Sequence, residues 1–506
     1  MLAAAGSNGQ AISVSTRAIS FTLNTRLPTP HTNFCLNISA QAAVISAVKT
    51  TFTDLTVSRR QFLASTGAAL AAPLIIPSSA LGADGHVAPS ERVVMAAVGY
   101  GGQGPWNTDE LMKLPACQMI AACDVDKGHL NHAVKVINAH YDNEDCKGYH
   151  DYRELMARKD VDAVMLAVPD HWHALVATEA ANHHKDIYGE KPLARTIAEQ
   201  QAIVRAVQQN KRIWQTGSWQ RSVDNFWYAC EIVRNGLIGN VTKVEVGLPG
   251  GQSSGNPGFA GDKDQNTCTQ PPPELDYDFW VGPSQMVPHV KCRVHGNWRW
   301  NYNTGGGQLM DWIGHHCDIA HWGLGFDNTG PSEVELVHAE FPPPHAIWNT
   351  CPKYRVSAKY LSRVTGYPND VEMTIAGTGP ESYPDIKMGC KWIGSEGWVW
   401  VDRGNFDSSD PRWKNQKNKL PEDLRKVKLY QSTNHWRNFV ECVKSRQPTI
   451  TPVETAHHSA IPGHLGLISM MSGRKLKWDV ATEQILDDPD AAMLLTRPYR
   501  VPWKLA

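Results

Sequence analysis

The chain has 506 residues, of which 42% are hydrophobic and 20% charged, with a formal net charge of −1 at pH 7. That length can bury more than one core, so two folded domains are expected, and the balanced charge leaves no electrostatic footprint for a nucleic-acid backbone. Eleven cysteines occur, none in CxxC spacing, which argues against a structural zinc or iron–sulfur site and reads as buried free thiols.

Residues 1–56 are rich in Thr, Ser and Ala without a periodic apolar face, and read as a leader or a start assigned too far upstream. Residues 57–83 follow the twin-arginine (Tat) export pattern: Arg59 and Arg60 precede Gln61, Phe62 and Leu63, then a small-residue apolar run. The run is too short and Ala-rich for a membrane span. The expectation is passage through the Tat machinery, cleavage near Ala80 to Ala83, and a mature chain in the periplasm or another extracytoplasmic compartment.

Residues 90–218 read as a dinucleotide-binding domain. The apolar run 92–98 is a strand candidate, followed by Gly99, Gly101 and Gly104 in GxGxxG spacing. The first glycine permits the tight turn, the second lets backbone approach a pyrophosphate, and the third allows close helix–strand packing. A second strand, Met119 to Cys123, ends at Asp124, where a carboxylate accepts hydrogen bonds from ribose hydroxyls and repels a 2′-phosphate. NAD is therefore expected over NADP. After a short helix at 151–159, the run 161–168 reads as a buried parallel strand ending at Pro169, Asp170, His171, Trp172 and His173, a turn expected to face the cofactor. A helix at 174–184, a strand at 186–188, the sequence Gly189-Glu190-Lys191-Pro192, a helix at 196–210 and a strand at 212–216 complete the domain.

Residues 219–475 change pattern. Helices at 224–235, 434–445 and 453–473, with strand-like runs at 241–247, 333–340, 371–376, 386–392 and 397–401, predict an α+β domain on a large, mainly antiparallel sheet. The stretch 249–273 is rich in Gly, Pro, Asn and Gln and reads as a long loop, a candidate lid or oligomer contact. Trp280, Trp298, Trp300 and Trp312 are candidate sugar-stacking walls, and His435 and Trp436 candidate neighbours of the pocket. Residues 476–506 read as a C-terminal tail packed against the body or a partner subunit.

Taken together, GYGGQG at 99–104, the Asp124 turn, PDHWHA at 169–174, EKP at 190–192 and GGGQLMDWIGHHCD at 305–318 resemble the glucose–fructose oxidoreductase/inositol dehydrogenase (Gfo/Idh/MocA) family over about residues 92–475. GSWQRS at 217–222 and LDYDFWVGP at 275–283 are similar to its exported branch. The resemblance implies an α/β Rossmann domain followed by an α+β domain, a homo-oligomer, and a cofactor site that includes Pro169, His173, Glu190 and Lys191. It places Lys191 beside the nicotinamide and the substrate hydroxyl, with Asp311 and His315 in the same site and Asp318 as supporting carboxylate. The family's DxGxH appears here as Asp311-Trp312-Ile313-Gly314-His315, its glycine displaced by one position.

Read from the residues alone, Asp311 and His315 are i and i+4 on a helix opening after Gly305-Gly306-Gly307, so both fall on one face. Histidine suits removal of a hydroxyl proton with least tuning, an adjacent Asp318 can fix its tautomer, and Lys191 can stabilise developing alkoxide. Lys191, Trp298, Trp300, Asp311, His315 and Asp318 are the expected substrate contacts. His171, His173, His315, His316 and His321 match no compact ligand spacing, and no metal is assigned.

The leading expectation is an oxidoreductase acting on a sugar or glycoside carbinol with tightly bound NAD, since free cofactor is scarce outside the cytoplasm. Glycoside cleavage through transient oxidation to a ketone is a second reading, and a non-catalytic sugar-binding protein a third.

Overall fold

The computed structural model describes residues 87–251, 267–344, 346–377, 383–415 and 419–505. The expected leader and export signal lie outside the described residues, as does 252–266 of the Gly/Pro-rich stretch.

The first domain alternates strand and helix: β1 Val93–Val98, α1 Gln103–Met112, β2 Cys117–Cys123, α2 Lys127–Tyr141, β3 Lys147–Tyr149, α3 Tyr152–Met156, β4 Ala163–Leu166, α4 Asp170–Asn182, β5 Asp186–Gly189, α5 Ile197–Gln209 and β6 Trp214–Thr216. The strands pair in parallel in the order β3-β2-β1-β4-β5-β6, the doubly wound order of a Rossmann fold. β1 and β4 are apolar on both faces because helices cover both sides. Local caps fix the helix entries. Asp126 accepts from the Gly128 and His129 N–H groups to start α2, and Thr196 accepts from Glu199 N–H to start α5. Two differences from the sequence expectation stand out. β3 is an exposed edge strand with no apolar run to announce it, and α4 begins at Asp170, so His171 to His173 lie in its first turn rather than in a loop.

The second domain continues with α6 Asp224–Arg234, β7 Val241–Leu248, α7 Tyr277–Val281, α8 Gly307–Trp312, a π-helical turn Ile313–Cys317 and α9 Asp318–Leu324. Then come β8 Glu333–Glu340, β9 Lys353–Tyr360, β10 Val371–Gly377, β11 Gly389–Gly394, β12 Gly397–Asp402, β13 Asn405–Ser408, α10 His435–Ser445, α11 Val453–Ser472, β14 Leu476–Asp479 and β15 Gln484–Leu486. Among the described residues the sheet order is β13-β12-β11-β7-β10-β9-β8-β14-β15, with β7 and β10 its one parallel pair. Tyr354, Val356, Ala358 and Tyr360 of β9 point alternately into the core shared with α6, α9 and α11.

The chain is not divided cleanly along its length. After the large sheet, α10 returns to the first sheet, packing Trp436, Phe439 and Val440 against the β1 side, and Thr216 N–H donates to Thr451 O at 3.0 Å. Residues 274–276 reach the end of β2: Lys127 N–H donates to Glu274 O at 2.9 Å and Asp276 N–H to Val125 O at 3.2 Å. The terminal residues, expected as a tail, extend the large sheet through β14 and β15 and then return to the first domain, where Arg497 Nε donates to Glu199 at 2.8 Å. Among the described residues no helix is long and apolar enough to cross a membrane.

Candidate functional site

The C-terminal ends of β1, β2, β4 and β5 open into one cleft, lined among others by Gly99, Asp124, Pro169 and Glu190. Its walls show why glycine is needed. Gly99 has φ +85°, and a Cβ there would lie 2.6 Å from the Ala167 carbonyl oxygen. A Cβ on Gly104 would be driven into the carbonyl of Gly99, so this glycine lets the helix approach the turn. Gly101 and Gly102, in contrast, face open space, the nearest neighbour being the His129 ring 3.7 Å from a Cβ on Gly101. The α1 N-terminus carries no side-chain cap. An exposed glycine backbone beside an uncapped helix N-terminus is a fit for a pyrophosphate.

Asp124 is held at the cleft mouth, its Oδ2 accepting from Tyr100 N–H at 2.7 Å and its Oδ1 from Asp126 N–H at 2.9 Å. The same carboxylate, 3.7 Å from His129, raises that imidazole above its usual range. The Lys and Arg side chains that line the cleft are Lys191 and Arg299. Lys191 follows β5, three strand spacings or roughly 14 Å from the end of β2. Among the described residues Asp124 forms no ion pair with a Lys or Arg, its charge partner being His129, a setting that suits the ribose hydroxyls of NAD.

Glu190, Lys191, Pro169 and Trp298 line the cleft. Glu190 is buried, with Oε1 accepting from Asn107 Nδ2 at 2.8 Å, and burial raises its carboxyl. Beyond it, Lys191 Nζ donates to Asp311 O at 2.7 Å and to Asp311 Oδ1 at 3.0 Å. Arg299 Nε donates to the same Oδ1 at 2.8 Å. Burial alone would raise Asp311, but these two cations hold it down at about 2, so it is ionised at any working pH. His315 lies next along the chain, buried, its Nδ1 without a partner among the described residues. Burial first, then the charges of Lys191 and Arg403, push it well below the usual imidazole range. It is thus a neutral acceptor.

The π-turn changes the geometry expected from a regular helix. Its wider turn carries His315 off the strict i+4 position relative to Asp311. Gly314 occupies the point of closest approach: a Cβ there would lie 2.8 Å from Lys191 Cβ, and Ser218 Oγ donates to Gly314 O at 2.6 Å. The displaced glycine of the sequence is the one that admits Lys191.

Three expected site residues lie elsewhere. Asp318 does not support His315, because its carboxylate is taken by Arg221, Nε donating to Oδ2 at 2.7 Å and Nη2 to Oδ1 at 2.9 Å. His173 does not line the cleft, because both ring nitrogens are turned inward, each 2.8 Å from a carbonyl, Pro192 O and Val168 O. Trp300 is buried against Trp348, Val290 and Cys292 and does not line the cleft. Trp280 lines the cleft, and its carbonyl accepts from His171 and from Trp172 Nε1, each at 3.0 Å. His435 is buried 2.8 Å from Thr216 O, and Trp436 Nε1 donates to Asn107.

Other residues join the site, and of these Asp170 stands in the turn expected to face the cofactor. Arg299 is the second clamp on Asp311. Arg403 and Trp219 pack beside His315. Asp170, at the start of α4, is buried with Oδ1 unpartnered among the described residues. Burial and the Asp311 charge push its carboxyl up to about 7, against the pull of Arg299 and Lys191.

Comparison with known proteins agrees with this architecture. Residues 93–218 match the model "Oxidoreductase family, NAD-binding Rossmann fold", and residues 228–505 match "Oxidoreductase family, C-terminal alpha/beta domain". Inositol 2-dehydrogenase of Salmonella typhimurium is 32% identical over 151 residues, 29% of this chain and 44% of that protein. An alpha-N-acetylgalactosaminidase of Shewanella oneidensis is 28% identical over 181 residues, 34% of this chain and 38% of that protein. The chain therefore spans less than half the length of either relative. The solved WlbA dehydrogenase of Bordetella pertussis, in complex with NADH and UDP-GlcNAcA, shares the fold at TM-score 0.56 and 14% identity, covering 77% of this chain and 98% of that one. The myo-inositol 2-dehydrogenase of Lactobacillus plantarum does so at 0.51 and 16%, covering 76% and 99%. A glycine cradle for NAD, a Lys–Asp–His group at its inner end and matches to both modules make this chain a member of the Gfo/Idh/MocA oxidoreductase family.

Proposed function

We propose that the protein oxidises a ring carbinol of a sugar or glycoside, and that it uses the resulting ketone to release an aglycone before the sugar is reduced again. The observation that carries the oxidation is the convergence of Lys191, ionised Asp311 and neutral His315 beside the cleft. Gly99, Gly101, Gly104, Asp124 and Glu190 would hold NAD, which would supply the hydride acceptor. His315 takes the hydroxyl proton, and Lys191 stabilises negative charge on the oxygen, kept in place by Asp311. Arg299 holds Asp311 from the other side.

The cleavage reading is supported by relatives that include the alpha-N-acetylgalactosaminidase and a glycosyl hydrolase family 109 protein of Shewanella sp. ANA-3, 34% identical over 119 residues. A ketone acidifies the neighbouring C–H. Loss of that proton with the aglycone, addition of water and return of the hydride give hydrolysis without net oxidation. Such a cycle suits a cofactor that stays bound, as the export reading of residues 57–83 requires. A homo-oligomer in an extracytoplasmic compartment is part of the same reading. The assembled presence of Lys191 and His315 weighs against a non-catalytic binding protein.

The test is mass spectrometry of purified protein incubated with a glycoside panel, reading products and bound cofactor together. Free aglycone with unmodified sugar and cofactor ending as NAD supports the cycle. A keto-sugar with accumulating NADH reduces the function to dehydrogenation. Cofactor-free protein with weak, reversible NAD binding would overturn the tight-cofactor part.

A further inference from the structure

Arg403 sits at the tip of the β12–β13 hairpin, with Gly404 at φ +80° completing the turn. The tip is rigidly mounted, since Asn225 Nδ2 on α6 donates to both Asp402 O at 2.8 Å and Asn405 O at 3.1 Å. From this mount the guanidinium lies between two indoles, 4.3 Å from the Trp312 ring centroid and 4.7 Å from that of Trp219. Both rings also contact His315, at centroid distances of 5.2 and 6.4 Å. The arginine is therefore on the His315 side of the site, outside the lining of the nucleotide cleft.

Its charge is not spent. Lys191 and Arg299 share the Asp311 carboxylate, whereas Arg403 makes no ion pair among the described residues. Among the described residues its side-chain hydrogen bond is to Gln220, whose Oε1 accepts from Nε at 3.2 Å. Gln220 is itself fully buried and leaves its amide NH₂ without an acceptor among the described residues. The terminal nitrogens of Arg403 thus remain as a fork of donors, the arrangement that binds a carboxylate through two parallel hydrogen bonds. A half-buried, unpaired guanidinium loses solvation and gains it back only when an anion arrives. The half-buried indoles, beyond the faces that the guanidinium covers, add apolar surface against which a sugar ring can rest.

We propose that Arg403 is a specificity residue that selects a sugar bearing a carboxylate, a uronic acid or uronide, over its neutral counterpart. This rests on the sugar-oxidising reading of the site. The carboxylate takes the Arg403 fork, the ring lies along Trp312 and Trp219, and the carbinol faces His315 and Lys191.

Matched 4-nitrophenyl glycosides test it: glucuronide against glucoside, and galacturonide against galactoside, with the cofactor-loaded protein and its Arg403→Gln and Arg403→Lys variants. The expected result is kcat/KM favouring a uronide roughly 10- to 100-fold, as for a hydrogen-bonded charge pair, carried in KM. Arg403→Gln brings that ratio towards one, and Arg403→Lys retains part of it. Turnover of neutral glycosides at the same or higher kcat/KM overturns the selection and leaves the oxidoreductase reading intact. Silence towards every member of both pairs, with no change in bound cofactor, overturns both. Should Arg403→Gln fail to fold, tryptophan fluorescence of the wild-type protein decides: tighter binding of glucuronate than glucose, weakened by salt, supports the selection, and equal binding overturns it.

Discussion

Arg221 and Asp318 meet edge to edge inside the second domain, each at most 2% exposed, and Arg221 also reaches Asp327 Oδ1 at 2.7 Å. The aspartate three residues after His315 is thereby an anchor for the helix that carries the site, not a partner of the histidine. Removing it leaves a buried guanidinium short of a partner. Asp318→Ala should lose about 3–5 kcal/mol of stability in denaturant unfolding. The pH profile of kcat in the folded fraction should not move, as it would if Asp318 set the His315 tautomer.

Lys191 has the opposite signature. Lys191→Met leaves the cradle glycines and Asp124 untouched, so bound NAD should still co-purify. Substrate turnover should fall roughly 10²–10³-fold, the cost of losing one donor aimed at developing oxygen charge. Cofactor content by absorbance and single-turnover rates separate the two effects.

The glycine turn offers a paired test. Gly104→Ala forces a methyl into the Gly99 carbonyl, whereas Gly102→Ala, a few ångströms along the chain, meets nothing within 4 Å. The first variant should lose NAD and about 1–3 kcal/mol of stability through overpacking. The second should fold like wild type, and calorimetry with cofactor assay reads the contrast.

Asp170 links the site to pH. Its carboxyl is raised to about 7 in the folded chain, mainly by burial, so the folded state keeps a proton that the unfolded chain releases near the ordinary carboxylate range. Its contribution to stability is full at low pH and is lost as pH rises towards and through 7. Asp170→Asn removes that loss. Relative to wild type it should gain stability between about pH 4 and 7 and plateau above, by up to about 4 kcal/mol. Unfolding midpoints across that range check the sign.

How far the molecule could be read from its sequence depended on whether the signal was local. The β1 and β4 runs are continuous and apolar because both faces are covered, so they announce themselves. The three residues of β3 are exposed or half-buried and carry no such pattern. β9 does alternate, with Tyr354, Val356, Ala358 and Tyr360 inward, yet its polar partners masked it. In the site, Lys191 and Asp311 fall in compact motifs and do meet, at 3.0 Å. Asp170 stands in the turn expected to face the cofactor, whereas Arg299 and Arg403 reach the same place from two further segments that only the packed chain brings together. The Asp318 expectation failed for a related reason: spacing along a helix shows which side chains share a face, and a distant arginine decides where a buried carboxylate turns.

The backbone contacts of residues 274–276 with the end of β2, and the return of α10 and Thr451 to the first sheet, have a consequence for anyone recombining members of this family. The boundary near residue 218 that two family models respect is a boundary of sequence only. A chimera joined there would graft a foreign ribose-side rim and a foreign flank onto the nucleotide domain. Compatible exchange requires carrying the segments around 274–276 and 435–451 with the first module, as one inherited unit written in three pieces.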